Sequence, residues 1–185
     1  MAIIRSVRGK TPVFGRNVFL ADTAVIVGDV IMGDDCSVWF HAVVRGDVHY
    51  IRIGNRVNIQ DHAVIHCTHE KAYTVIGNNV SIGHRAIVHG CTVEDNVVIG
   101  MGAIVMDHVI IEKNSLIAAG AVVLEHTRVE EGSIYAGVPA RKVKALSAAE
   151  FEQINLRIAA NYVLYAGWYQ QENTRPAERE RRSEL

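Results

Sequence analysis

The stretch from Val93 to Tyr135 reads VEDNVV-IGMGAI-VMDHVI-IEKNSL-IAAGAV-VLEHTR-VEEGSI-Y, with a large apolar residue at every sixth position. The recurring residues are Val93, Ile99, Val105, Ile111, Ile117, Val123, Val129 and Tyr135. Two shorter series upstream keep the same spacing: Ile53, Ile59, Ile65 and Ile76, Ile82, Val88. An amphipathic helix and an alternating strand have periods near 3.6 and 2, so neither produces this pattern. Hexapeptide periods are typical of parallel β-helices, and the sequence therefore predicts an all-β solenoid.

The same pattern sets the predicted boundaries along the chain. Residues 1–17 are expected to form an N-terminal cap strand, and residues 18–141 the β-helix domain. Gly137 and Pro139 end the repeats, and Ser147 and Glu150 then have the spacing of a helix capping box. We expect a C-terminal α-helix over residues 146–172, packed on the solenoid, and a charged tail over 173–185.

Composition narrows the class of protein. The 185 residues are 49% hydrophobic and only 6% aromatic, with a formal net charge of -1. This balance gives no reason to expect nucleic acid or an anionic membrane as a partner. The absence of a long apolar stretch and of a signal-peptide pattern predicts a cytoplasmic protein. Three cysteines without a CxxC pair are predicted to be reduced, buried packing residues: Cys36, Cys67 and Cys91.

Two interruptions of the period bring polar side chains into register. Three extra residues interrupt it between positions 44 and 53, and five between positions 65 and 76. Three six-residue faces make one coil of about 18 residues. His89 follows His66 by 23 residues, of which five are inserted, so the two imidazoles are predicted to stack on neighbouring coils. Arg45 falls in the same column one coil earlier.

A second column lies on the preceding face. Asp61 precedes His84 by 23 residues, again one coil after correction for the insertion, and Gln60 lies beside it. Five histidines show no such agreement in spacing, and we expect ordinary surface or loop residues at His41, His49, His62, His108 and His126.

Two imidazoles in one column and a third at another corner do not easily converge on one ion within a chain. They converge if the first column of one subunit meets the second column of the next, and three such contacts close a ring. The sequence thus predicts a metal bound by His66 and His89 of one chain and His84 of its neighbour. Zinc is the default metal for three imidazoles, and its bound water ionises near pH 7. Arg45 and Asp61 are predicted to pair across this interface, with Gln60 hydrogen-bonded to the water or the substrate.

The motifs around these residues resemble those of the γ-class carbonic anhydrases over nearly the whole chain. The similar stretches are Arg45-Gly46-Asp47, Asn58-Ile59-Gln60-Asp61, His66 and Gly83-His84-Arg85-Ala86-Ile87-Val88-His89-Gly90-Cys91. The resemblance implies a left-handed β-helix, a homotrimer, and Zn²⁺, Fe²⁺ or Co²⁺ at subunit interfaces. It also implies reversible hydration of carbon dioxide to bicarbonate. It assigns the metal ligands to His66, His84 and His89, and supporting roles to Arg45, Asp47, Asp61, Gln60 and Tyr162, with Asn161 beside the last.

One departure from the family pattern affects proton transfer. Val48 stands where active members carry a proton-shuttling glutamate, so we expect weaker turnover, with His69 as a partial substitute. Three alternatives stay open at this point. They are an acyl-CoA thioesterase-like hydrolase, a hexapeptide acyltransferase that uses one histidine as general base, and a non-catalytic trimeric module held together by metal.

Overall fold

The computed structural model describes residues 1–174, and from residue 175 onward the predicted charged tail lies outside the described residues. The fold is a left-handed parallel β-helix of about seven turns followed by a C-terminal helix, which confirms the predicted fold class. No helix within residues 1–174 is long and apolar enough to cross a membrane.

Short strands separated by turns build the coils. Their bounds are β1 Ile3–Arg5, β2 Val13–Phe14, β3 Phe19–Leu20, β4 Val25–Met32, β5 Ser37–Val38, β6 Val43–Ile53, β7 Asn58–Ile59, β8 Val64–His66, β9 Thr74–Ile76, β10 Ser81–Ile82, β11 Ile87–His89, β12 Thr92–Val93, β13 Val98–Ile99, β14 Ile104–Val105, β15 Ile110–Ile111, β16 Leu116–Ile117, β17 Val122–Val123, β18 Arg128–Val129, β19 Ser133–Ala136 and β20 Arg141–Ala145. The helical part consists of α1 Ala148–Phe151, a π-helical segment Glu152–Leu156, and α2 Arg157–Thr174.

The strands form three faces of a prism. Face one contains the first halves of β4 and β6 with β8, β11, β14 and β17, and face two contains their second halves with β9, β12, β15 and β18. Face three runs from β3 through β5, β7, β10, β13 and β16 to β19. The bend inside β4 requires glycine, because Gly28 has φ +77° and a Cβ there would lie 2.3 Å from the carbonyl oxygen of Gly46.

The six-residue period is the period of the buried core. Ile82 pairs in register with Ile99, and Ile99 pairs with Ile117 on the next coil; all three side chains are fully buried. Each coil thus adds one layer of aliphatic side chains to a continuous interior. The three cysteines are buried and free, as predicted.

The C-terminal helix is fastened to face three. The capping box is present, since the Glu150 amide donates to Ser147 Oγ at 3.3 Å and the Ser147 amide donates to Glu150 Oε2 at 3.0 Å. Further along, the fully buried Asn155 donates from Nδ2 to the carbonyl oxygens of Asn96 (2.7 Å) and Ser115 (3.2 Å). α2 contacts β5 and β7, so the helix covers the third face.

Face one carries a row of apolar side chains on its outer side. These residues precede the inward aliphatic positions and stand one coil apart: Val43, Val64, Ile87, Ile104 and Val122. Ile87 is 37% exposed, although it lies between β8 and β14. An exposed apolar row on a β-sheet face is typical of a surface that meets another protein subunit.

Candidate metal centre

The structure brings His66 and His89 together at the ends of β8 and β11. The two residues are direct register partners, which confirms the spacing prediction. His66 Nδ1 and His89 Nε2 lie 3.0 Å apart. Two nitrogens bound tetrahedrally to one zinc at about 2.0 to 2.1 Å would be separated by about 3.3 Å. The pair therefore fits two ligands of a single metal ion.

A carboxylate holds the outer nitrogen of each imidazole. Asp47 Oδ1 lies 3.1 Å from His66 Nε2, and Asp107 Oδ1 lies 2.5 Å from His89 Nδ1. Thr68 Oγ1 in turn donates to the second oxygen of Asp107 at 2.5 Å. Carboxylates in this position fix the ring orientation and raise the basicity of the facing nitrogen. The inner nitrogens are left facing one another.

Asp107 was not among the residues predicted from sequence. The spacing contained the signal, because Asp107 follows His89 by 18 residues, one complete coil without insertions. Counting one further coil along the column that contains Arg45, His66 and His89 would have found it.

The protonation states of this cluster suit a cation. Burial lowers the pKa of His66, and the positive charge of Arg45 adds to this effect. Burial alone would raise the pKa of Asp47 and of Asp107, but hydrogen bonds from Arg45 and His66 to the first, and from Thr68 and His89 to the second, hold each below its usual value. Neutral imidazoles beside ionised carboxylates are the forms that bind a divalent metal.

His84 lies at a different corner of the coil, directly after β10. Its Nδ1 is 2.8 Å from Asp61 Oδ2, and its side chain is 43% exposed. Within residues 1–174 of one chain, no three histidine, cysteine, aspartate or glutamate side chains converge on a common point. One subunit thus presents a two-histidine cluster on face one and a separate histidine–carboxylate pair at the corner.

The other predicted site residues have partners within the chain. Arg45 Nη1 contacts Asp47 Oδ2 at 2.6 Å, so its ion pair here is with Asp47 and not with Asp61. Gln60 is buried and donates from Nε2 to Asn58 Oδ1 at 3.0 Å. Tyr162 packs edge-on against Trp39, and burial, with the nearby Asp61 charge, raises its pKa to about 12.

Neither sequence position considered for proton transfer carries a proton path in this arrangement. Val48 packs against the core beside Asp47 and has no ionisable group. His69 lies on the inserted loop with an exposed side chain, and its Nε2 is 3.6 Å from Glu70 Oε1.

The prediction that five histidines lack any register is wrong for four of them. His41 stacks on His62 with ring centroids 4.9 Å apart, and His108 stacks on His126 at the same distance. Each pair is one coil apart once the three inserted residues before His62 are removed. All four have φ near +60°, because they occupy equivalent left-handed turn positions at coil corners.

Removing the carboxylate behind His89 is expected to weaken metal binding without unfolding the chain. Asp107→Asn keeps the shape of the side chain but loses the charge that orients His89, so we expect zinc affinity to fall by about 10- to 100-fold. Competition with a chromophoric chelator measures this change. Glu125→Gln, at the equivalent corner one coil later in the same cavity, is the matched control. An equal loss of affinity in both variants would contradict this role for Asp107.

Comparisons with known proteins agree with the class that the coils define. Residues 73–107 and 90–125 match the family described as bacterial transferase hexapeptide (six repeats). The chain is 39% identical to a carbonic anhydrase of Geobacillus kaustophilus, over 93% of this chain and 95% of that protein. It is also 39% identical to the mitochondrial gamma carbonic anhydrase 1 of Arabidopsis thaliana, over 94% of this chain and 64% of that protein.

A solved structure extends this likeness to three dimensions. The hexapeptide transferase family protein from Anaplasma phagocytophilum superposes with a TM-score of 0.86 at 36% identity, covering 90% of this chain and 98% of that one. Fold and site together define a hexapeptide-repeat protein with a histidine cluster on one solenoid face. The chain belongs to the γ-class carbonic anhydrase-like family of these proteins.

Proposed function

We propose that this protein is a metal-dependent carbonic anhydrase whose sites lie between the subunits of a homotrimer. Each site would take His66 and His89 from one protomer and His84 from the next. The observation that carries this proposal is the paired geometry of His66 and His89, with inner nitrogens 3.0 Å apart and outer nitrogens held by carboxylates. Identity to proteins named carbonic anhydrase over nearly the whole chain supports the same reaction.

The exposed surfaces of the chain support the shared site. The His66 and His89 cluster lies at the edge of face one, beside the outward apolar row that includes the exposed Ile87. His84 lies at the other edge of that face, where Asp61 orients its ring through Nδ1. Contact between the first edge of one subunit and the second edge of its neighbour would bury apolar surface and complete the ligand set.

A divalent metal in this site, with zinc the first choice and Fe²⁺ or Co²⁺ also suited, supplies a Lewis acid that lowers the pKa of water. The chain's own residues provide position and charge. Asn58 fixes the Gln60 amide, which would hydrogen-bond an oxygen of water or substrate. Tyr162, with its pKa raised to about 12, stays protonated near neutral pH and serves as a donor. Arg45 and Asp61 would contribute charge at the edges of the site.

Proton release is the weak step of this proposed reaction. Hydration of each carbon dioxide produces one proton, and Val48 provides no group to carry it outward. We therefore expect turnover to rise with the concentration of an external buffer such as imidazole, because the buffer accepts the proton directly.

An acyl-transfer reaction is the second candidate, favoured by the likeness to a hexapeptide transferase family structure. Such a reaction needs a single histidine as general base, and the carboxylate pair His84–Asp61 could supply one. It gives no role to the close pairing of His66 with His89.

Two assays on the same metal-loaded protein separate these reactions. Carbon dioxide hydration is followed by stopped flow with zinc-loaded and with anaerobically iron-loaded protein, and thiol release is followed with acetyl-CoA. Hydration that exceeds that of His66→Ala in either metal form supports the proposal. Thiol release without hydration, with metal present in stoichiometric amount, would overturn it.

A further inference from the structure

A second concave surface lies between α2 and the first coils of face three. It encloses about 320 Å³ and is open to solvent on one side. Six aromatic side chains line it: Trp39, Phe40, Tyr162, Tyr165, Trp168 and Tyr169. With an aromatic content of only 6% in the whole chain, this concentration of rings is the main departure from the Val and Ile interior.

The rings meet at angles that leave π faces directed into the cavity. Trp39 forms the buried base, and the rings of Tyr162 and Tyr169 each lie 5.4 Å from it in edge-on contact. At the mouth, Trp168 lies 5.0 Å from Tyr165 and remains 52% exposed. Large aromatic rings left in water on an amphipathic helix lose burial energy, so their retention here favours a ligand that covers them.

The charge of the cavity selects the kind of ligand. Asp61 is the single charged residue among those that line it, and its carboxylate faces the aromatic wall. None of the lining residues is Lys or Arg, so no positive charge within the lining balances the carboxylate. Aromatic faces carry negative electrostatic potential and attract cations, most strongly where water is displaced.

We propose that this cavity binds a small organic cation of the quaternary or tertiary ammonium class. Trp39, Tyr165 and Trp168 would contact the alkylated nitrogen through their π faces, and Asp61 would provide the counter-charge. An ammonium group with methyl substituents suits this lining better than a metal ion, because the site offers one carboxylate and no ring of oxygen ligands. Because Asp61 also orients His84, occupation of this cavity would be felt at the proposed metal centre.

Tryptophan fluorescence reports on this cavity alone. The chain contains two tryptophans, and both line it. We would titrate the metal-loaded protein with tetramethylammonium chloride at constant ionic strength, and in parallel with neopentyl alcohol, a neutral molecule of similar size. The expected result is a saturable fluorescence change in which tetramethylammonium binds at least about fivefold more tightly than the alcohol. Equal affinities, or the lack of a saturable change with tetramethylammonium, would overturn the proposal.

A pair of variants on α2 localises the binding. Trp168→Leu should weaken tetramethylammonium binding by about fivefold or more, with Trp39 still available as the reporter. Leu164→Ala, at a position 54% exposed on the same helix but outside the cavity lining, should leave the affinity unchanged. A Trp168→Leu variant that binds as tightly as the wild type would place the cation elsewhere. The titration contains no carbon dioxide, so its outcome does not depend on the proposed reaction.

Discussion

Two inactive variants, His66→Ala and His84→Ala, are expected to regain about a quarter of wild-type carbon dioxide hydration when their subunits are mixed. Each variant alone removes one of three imidazoles from every site, and hydration should then fall by at least about a hundredfold. In a random mixture of equal amounts, a site is complete when the first subunit keeps His66 and the next keeps His84. The two independent halves give about one site in four.

The measurement is hydration rate and bound zinc after the two variants are unfolded together, refolded and reloaded with metal. The mixture of His66→Ala with His89→Ala is the matched control, because both histidines come from the same face of one subunit. No arrangement of those two variants completes a site. Recovery in the control, or none in the first mixture despite trimer formation, would show that the three histidines do not meet as proposed.

Parts of this site could be read from sequence because the backbone of every coil repeats. The pairing of His66 with His89 follows from counting 18 residues and subtracting the five inserted ones. The same count would have found Asp107 and the stacked pair His108 and His126, which the motif-centred reading passed over. Periodicity fixes which side chains stand in a column, whatever their chemistry.

Other features depend on contacts that a repeat does not encode. β20 pairs antiparallel with β19 at the open end of face three, and its sequence, Arg141 to Ala145, is exposed throughout and has no apolar alternation. It forms a strand because the last coil offers unpaired backbone groups to bind. The aromatic cavity likewise arises where a helix far along the sequence meets Trp39 of an early coil, so no local pattern indicated it.

Ile99→Ala is expected to destabilise the protein by about 2 to 5 kcal/mol, since it removes three buried carbons from a packed interior layer. Ile99 is fully buried and lies between Ile82 and Ile117, its register partners on the two adjoining coils. A coil contacts only its neighbours, so a cavity there weakens both adjoining interfaces and cannot be filled by movement elsewhere.

Urea unfolding at fixed protein concentration measures this loss, because subunit association also contributes to apparent stability. Val143→Ala, at a position 63% exposed on β20, is the control and should change stability by no more than about 0.5 kcal/mol. A cost for Ile99→Ala as small as that of the control would mean that the coil can close around the lost carbons. The six-residue apolar period would then serve to keep strands in register more than to stabilise them, and the position of His66 over His89 would depend chiefly on backbone pairing.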